Sequence, residues 1–210
     1  MKSQKISLCF LLCLLTFNTI AQYQTDAIQT RRGDLIVSPV QHATFVLSWQ
    51  NKTIYVDPTG GAAAFKSFKK PDIILLTDIH GDHCDVKTLE AILTPNTIMV
   101  APQAVADLLP ASLKAHLSIL KNGDRSRILQ IPVKAVAMYN LPVSDSARHV
   151  KGRGNGYVLK LSNRKVYISG DTEDIPEMRR LHDIDVAFVC MNLPYTYHIQ
   201  WILIKHPLRS

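Results

Sequence analysis

Residues 72–85 read "DIILLTDIHGDHCD". The first half is a continuous apolar run, the mark of a strand covered on both faces. The second half crowds Asp78, His80, Asp82 and His83 onto the carboxyl end of that strand, where sheet-based enzymes commonly place their chemistry. Gly81 lets the backbone turn sharply, so that side chains on either side of it converge. Imidazole nitrogens and carboxylate oxygens are donors that zinc, manganese and iron accept. The spacing lets Asp78 and His80 face one cation while Asp82 and His83 face a second. The bland alternative is a solvated loop whose aspartates merely form turns. So many donors directly after a buried strand speak against it.

Outward from this stretch the pattern is one of strands and short helices. "TFVLSW" (44–49) and "KTIYVDP" (52–58) are rich in β-branched and aromatic residues and turn about Gln50 and Asn51, which predicts a hairpin. "TGGAAAFKSFKK" (59–70) is a loop leading into a short helix that Pro71 stops. "DVKTLEAIL" (85–93) has helical periodicity, "NTIMVA" (96–101) is a strand, and "PQAVADLL" (102–109) is a helix begun by Pro102. "SRILQI" (126–131) and "VKAVAMYNL" (133–141) are strands, and "GYVLKLSNRKVYISGD" (156–171) is a second hairpin turning at Ser162–Arg164. A short helix at 173–181 and a buried strand at 185–192 follow. Hairpins early and late, with β–α alternation between them, predict an α/β fold of two mixed sheets between helices.

The 210 residues, 47% of them apolar, suit one domain with a sizeable core rather than a disordered chain. The formal charge of +7 is scattered apart from one cluster at Arg148–Gly156. With no basic run interleaved with aromatics, nucleic acid is not the expected partner; a small molecule, of anionic character, is. Residues 1–21 open with Lys2 and Lys5, continue through an apolar stretch and end in small residues at Thr19 and Ala21. That is the pattern of a secretory signal peptide, with an uncut anchor as the alternative, so the expected location is periplasmic or secreted, with no stable membrane anchor. The domain then runs over 22–210. Cys9 and Cys13 fall in the leader. Cys84 and Cys190 remain, read as ordinary thiols rather than a disulfide.

Two distant segments carry further candidates. "SGDTED" (169–174) places Asp171 at the end of a strand, where its carboxylate can reach the same edge and bridge two cations; capping the following helix is its alternative. His149 lies in the glycine-containing loop "SARHVKGRGNGYV". His42, in "QHATF" (41–45), is a separate candidate, as readily a satisfied core histidine as a residue that orients a ligand or substrate. Tyr195 is a loop tyrosine that can line a pocket mouth. Lys151 and Arg153 are solvated loop cations, with a hold on an anionic substituent as the lesser alternative.

At this point the chain resembles a family. "DIHGDH" looks like a variant of the H-x-H-x-D-H signature of the metallo-β-lactamase-fold hydrolases. The set "HATFVL…KTIYVDP…PDIILLTDIHGDHCD…GRGNGYVL…KVYISGDTEDIPEM" is similar to the branch holding lactonase-like and uncharacterised members. The resemblance implies a four-layer αββα sandwich with two divalent metal ions, zinc first and manganese or iron as alternatives. By position it implies Asp78, His80 and His149 on one metal, Asp82 and His83 on the second, and Asp171 between them. Asp78 stands where the signature has histidine, which adds negative charge and favours harder cations. The chain runs "MNLPYTYHIQWILIKHPLRS" from Met191 to Ser210, without the last helix, strand and histidine the resemblance implies. His198 and His206 are weak substitutes as ligands.

The expected function is metal-dependent hydrolysis of an ester, lactone, amide or phosphodiester. A metal-bound hydroxide would attack, with Asp82 and Asp171 as the catalytic carboxylates. The alternative is an exported, non-catalytic remnant or binding protein whose metal site is incomplete.

Overall fold

Three apolar segments in the first half of the chain send their side chains alternately into two different cores, and this alternation sets the layers. The structure, a computed structural model, describes residues 25–190 and the backbone of 202–205. One sheet contains, in order, β1 (Asp26–Ile28), β2 (Leu35–Gln41), β3 (Thr44–Trp49), β4 (Lys52–Val56), β5 (Ile73–Leu75), β6 (Ile98–Ala101) and β7 (Leu117–Ile119). Its first four strands are an antiparallel meander, and β4 to β7 run parallel. The crossovers of the parallel part carry a 3-10 turn at Ala62–Phe65, then α1 (Val86–Ile92), α2 (Gln103–Leu108) and α3 (Ala111–Lys114).

The second sheet holds β8 (Arg125–Ile128), β9 (Ile131–Met138), β10 (Gly154–Leu161), β11 (Arg164–Ile168), β12 (Val186–Val189) and β13 (Ile202–Lys205). Only β11 and β12 are parallel neighbours, and α4 (Pro176–Arg179) lies in the crossover between them.

Successive strand residues point to opposite faces. Ile54, Val56, Ile73, Leu75 and Val100 therefore enter the core between the sheets, where they join Tyr157, Leu159, Ile168 and Phe188. Phe45 and Phe188 stack across this layer with ring centroids 4.3 Å apart. Tyr55, Ile74 and Met99, one position out of phase, face the other way and pack with Leu89 and Ile92 of α1 and Val105 of α2. Each such large side chain stabilises the fold by about 1.5–3 kcal/mol relative to exposure. The fourth layer is thin: Ile175 and Met178 cover Ala137 and Tyr139. The αββα sandwich is present.

Local chemistry sets the boundaries. Asp85 starts α1 by accepting from the backbone N–H groups of Lys87 and Thr88 at 3.1 and 3.3 Å, which satisfies donors that a helix leaves without partners. Pro102 caps α2 from just outside it. The segment expected as a helix before Pro71 is only the 3-10 turn.

One strand that the sequence reading did not assign follows β12: residues 202–205 pair antiparallel with it, Val186 opposite Lys205 through Val189 opposite Ile202. The expected leader (1–21) with Cys9 and Cys13, the 191–196 loop with Tyr195, and His198 and His206 lie outside the described residues. Among the described residues no helix is long and apolar enough to cross a membrane.

Candidate metal centre

The two sheets meet at one rim. The Tyr157 hydroxyl of β10 donates to the Leu76 carbonyl at 2.7 Å, and Asn155 N donates to Thr77 O at 2.9 Å. Parallel β4 and β5 both end here, so the residues that follow them, Asp57 and then Thr77 and Asp78, emerge side by side. β11 delivers Asp171 to the same rim through Gly170. Gly170 has φ +60, and a Cβ on it would meet the Met138 sulfur at 2.5 Å and Thr77 Cβ at 3.1 Å. No other residue fits that corner without displacing its neighbours. The Met138 sulfur accepts from Asp171 N at 3.1 Å.

The six donor residues read from the sequence fall into two groups. Asp78, His80 and His149 each offer an atom within 4.8 Å of the others, and so do Asp82, His83 and Asp171. Asp78 Oδ2 lies 2.8 Å from His80 Nδ1 and 3.8 Å from His149 Nε2. His83 Nε2 lies 3.2 Å from Asp171 Oδ2 and 3.8 Å from Asp82 Oδ2. Asp171 Oδ2 is also 3.4 Å from His149 Nε2, so this carboxylate stands between the groups. Two donors each about 2.1 Å from one tetrahedral ion sit ~3.4 Å apart, and several of these separations are of that size.

Hydrogen bonding gives an independent test of whether a cation fits. His80 Nδ1, His83 Nε2, His149 Nε2 and Asp171 Oδ1 are buried without a hydrogen-bond partner. Buried polar atoms are nearly always paired. Four orphaned donors to metal, gathered at one rim, fit divalent cations.

The far side of each ring explains its aim. His83 Nδ1 lies 2.8 Å from Asp57 Oδ2. Asp57, fully buried, is itself held by Thr77, whose N–H and hydroxyl donate to it at 2.8 and 2.6 Å. Nδ1 therefore carries the proton and Nε2 faces the rim. His149 Nδ1 lies 2.9 Å from Asn140 Oδ1, while Asn140 Nδ2 donates to Glu173 at 3.2 Å. A carboxylate only accepts, so the amide orientation is fixed, His149 Nδ1 donates to Asn140 Oδ1, and Nε2 faces the rim.

Titration follows the same contacts. Burial opposes a charged His83, but the Asp57 carboxylate and then Asp171 outweigh it and raise the metal-free pKa to about 11. Burial alone would raise Asp171, yet the His149 and His83 contacts hold its carboxyl far below the usual range. Burial lowers His80 and favours the neutral, ligating ring.

Other expectations are corrected or refined. His42 is not on a strand. It occupies the tight turn between β2 and β3 at φ 45, with Nε2 2.8 Å from Asp82 Oδ2. Asp171 does not cap the next helix, since Ile175 holds that position. Lys151 pairs with Glu177 at 3.2 Å and stands over the Tyr139 ring. Arg153 is no solvated loop cation: it grips Asp78 through both carboxylate oxygens, at 3.1 and 3.0 Å. Cys84 and Cys190 are free, half-buried thiols. The sequence reading missed Asp57 and Asn140. The first polar residue after "YV" on a strand beside the donor-bearing one was the available signal for Asp57; Asn140 had none.

Asp82, His149 and Asp171 open onto a cavity of about 1220 Å³ bordered by Leu141 and Arg148. A larger cavity, about 1510 Å³, lies between the 29–34 segment and β11 but contains none of the six donors. Its Arg164 is already paired with Asp185 at 3.0 Å. The chemistry belongs to the smaller one.

Comparison with known proteins agrees with this fold. The sequence model of the family described as a beta-lactamase superfamily domain matches residues 37–203. A protein of Pyrococcus furiosus named a metal-dependent hydrolase is 27% identical over 169 residues, covering 76% of this chain and 73% of its own. A solved structure from Parabacteroides distasonis, which also carries the name of a metal-dependent hydrolase, is 36% identical with a TM-score of 0.73. The match covers 83% of this chain and 78% of that one. CmlA, a diiron β-hydroxylase from Streptomyces venezuelae, matches at 18% identity and a TM-score of 0.58 over 77% of this chain and 35% of its own, a likeness of fold alone.

Proposed function

The chain belongs to the metallo-β-lactamase superfamily and is a metal-dependent hydrolase, and from that premise we propose that its two donor groups hold a pair of divalent cations, zinc first among them. The orphaned, convergent His80, His83, His149 and Asp171 atoms are the observation that carries this assignment. Asp78, His80 and His149 would hold one ion, Asp82 and His83 the other, and Asp171 would face both. The second group, Asp82, His83 and Asp171, offers three protein donors among the described residues, the number that leaves a tetrahedral ion a coordination position for water or substrate. That count argues against a non-catalytic remnant.

Bound cations would supply Lewis acidity, polarising the scissile carbonyl or phosphoryl oxygen and activating a water. The chain's own part is positional. Asp57 and Asn140 keep the bare nitrogens of His83 and His149 aimed at the rim. Asp82, steadied by His42, and Asp171 accept hydrogen bonds from the attacking water and orient it. The substrate is a small ester, lactone, amide or phosphodiester; exposed Leu141 and Arg148 at the mouth supply one apolar contact and one cation for an anionic substituent. The charged, apolar and small-residue order of residues 1–21 supports export.

The test is metal content of the purified chain by mass spectrometry, with turnover of a lactone, β-lactam, thioester and phosphodiester panel before and after chelation. Zinc-restored hydrolysis of at least one substrate is the expected result. A chain that takes up no metal and turns over none of them contradicts the proposal.

A further inference from the structure

Asp78 is fully buried and carries a formal negative charge into a group otherwise made of two imidazoles. An ionised carboxylate so placed is costly unless it is paired. Its partner is Arg153. Arg153 Nε donates to Oδ1 at 3.1 Å and Nη2 to Oδ2 at 3.0 Å, a two-point contact matched to the planar carboxylate. Nη2 also donates to the Arg148 carbonyl at 2.6 Å and stands 3.5 Å from His80 Nε2, so the guanidinium is fixed from two sides.

The carboxylate divides its work. Oδ1 accepts from the guanidinium. Oδ2 lies 2.8 Å from His80 Nδ1 with no hydrogen bond between them, as expected of two donors turned toward one point. We propose that Arg153 is the built-in counter-charge of the first metal group: it cancels the Asp78 charge, making the carboxylate act as a formally neutral donor like the two imidazoles beside it. Arg153 is thus a positioning residue acting through Asp78. This rests on the assignment of Asp78, His80 and His149 to a metal.

The two roles of such a cation have opposite signs. In the metal-free chain the guanidinium stabilises the buried carboxylate. In the loaded chain it repels the ion. Arg153→Gln should therefore lower the melting temperature of the chelated protein yet tighten zinc at the first group about tenfold or more, since a unit charge a few ångströms from a divalent ion exerts that much even at the dielectric of water. Asp78→His should weaken zinc about tenfold or more, because the guanidinium then faces three imidazoles and a cation with no carboxylate. Adding Arg153→Gln to Asp78→His should recover most of that loss.

The experiment is a zinc titration against a chromophoric chelator, with calorimetric melting of each chelated variant. The binding step abolished by His149→Ala identifies the first group. A purely structural Arg153 predicts that Arg153→Gln weakens zinc together with stability and that the double variant is no better than Asp78→His alone; either result overturns the proposal. Zinc uptake absent from the unaltered chain would overturn the metal assignment as well, and so separates the two failures.

Discussion

Asp57 Oδ2 and His83 Nδ1 are 2.8 Å apart, and neither side chain has any exposure to solvent. The pair joins the end of β4 to the loop after β5 and turns the other nitrogen of the ring toward the rim. Carboxylates behind ligating histidines typically contribute 10–100-fold in metal affinity. Asp57→Ala should accordingly weaken zinc at the second group by about 10–100-fold, read by chelator competition. Unchanged affinity in a folded variant would remove Asp57 from the site.

The same pair sets a proton count. A histidine whose folded pKa is raised, here to about 11 from 6.5, contributes stability that is complete below 6.5 and is lost as pH climbs through the raised value. In the metal-free chain that contribution therefore declines toward alkaline pH. At pH 8 the ring still holds its second proton, which zinc must displace. Zinc binding measured calorimetrically at pH 8 should show an enthalpy that changes with the ionisation heat of the buffer, and His83→Ala should reduce that dependence. A buffer-independent enthalpy would contradict the raised pKa.

Chelation should leave a less stable protein. Ions that bind only the folded chain add about 4 kcal/mol when present at 1,000 times their dissociation constant. Treatment with a strong chelator should lower the melting temperature by several degrees and abolish hydrolysis, and zinc should restore both. A melting temperature indifferent to the chelator would argue that the donors hold no ion.

Gly170→Ala tests the corner that delivers Asp171. Its φ of +60 and the close approach of the Met138 sulfur make a destabilisation of about 1–3 kcal/mol the expected outcome, measured by denaturant unfolding of the metal-free chain. A neutral effect would mean that the corner relaxes freely.

Most of the architecture was legible because it rests on local pattern. The β-branched and aromatic residues of "KTIYV" and the continuous apolar run in "DIILL" mark strands without knowledge of any neighbour. The six donors were legible because their residue types cluster in loops after such strands. The supporting residues were not. Asp57 meets His83 across 26 positions, Asn140 meets His149 across 9, and Arg153 meets Asp78 across 75. Nothing in spacing or period marks those encounters, which depend on sheet register and on loops folding back. β13, four residues paired along the edge of β12, was missed as well.

The donors come from both halves of the sandwich. Asp78, His80, Asp82 and His83 follow β5 of the first sheet, while His149 precedes β10 and Asp171 follows β11 of the second. An ion shared among them acts as a rivet through the seam. Opening the two layers at that rim would require giving up the ion, whereas the ion could leave a sandwich that stays closed, so bound metal would slow the parting of the layers without being needed to form them.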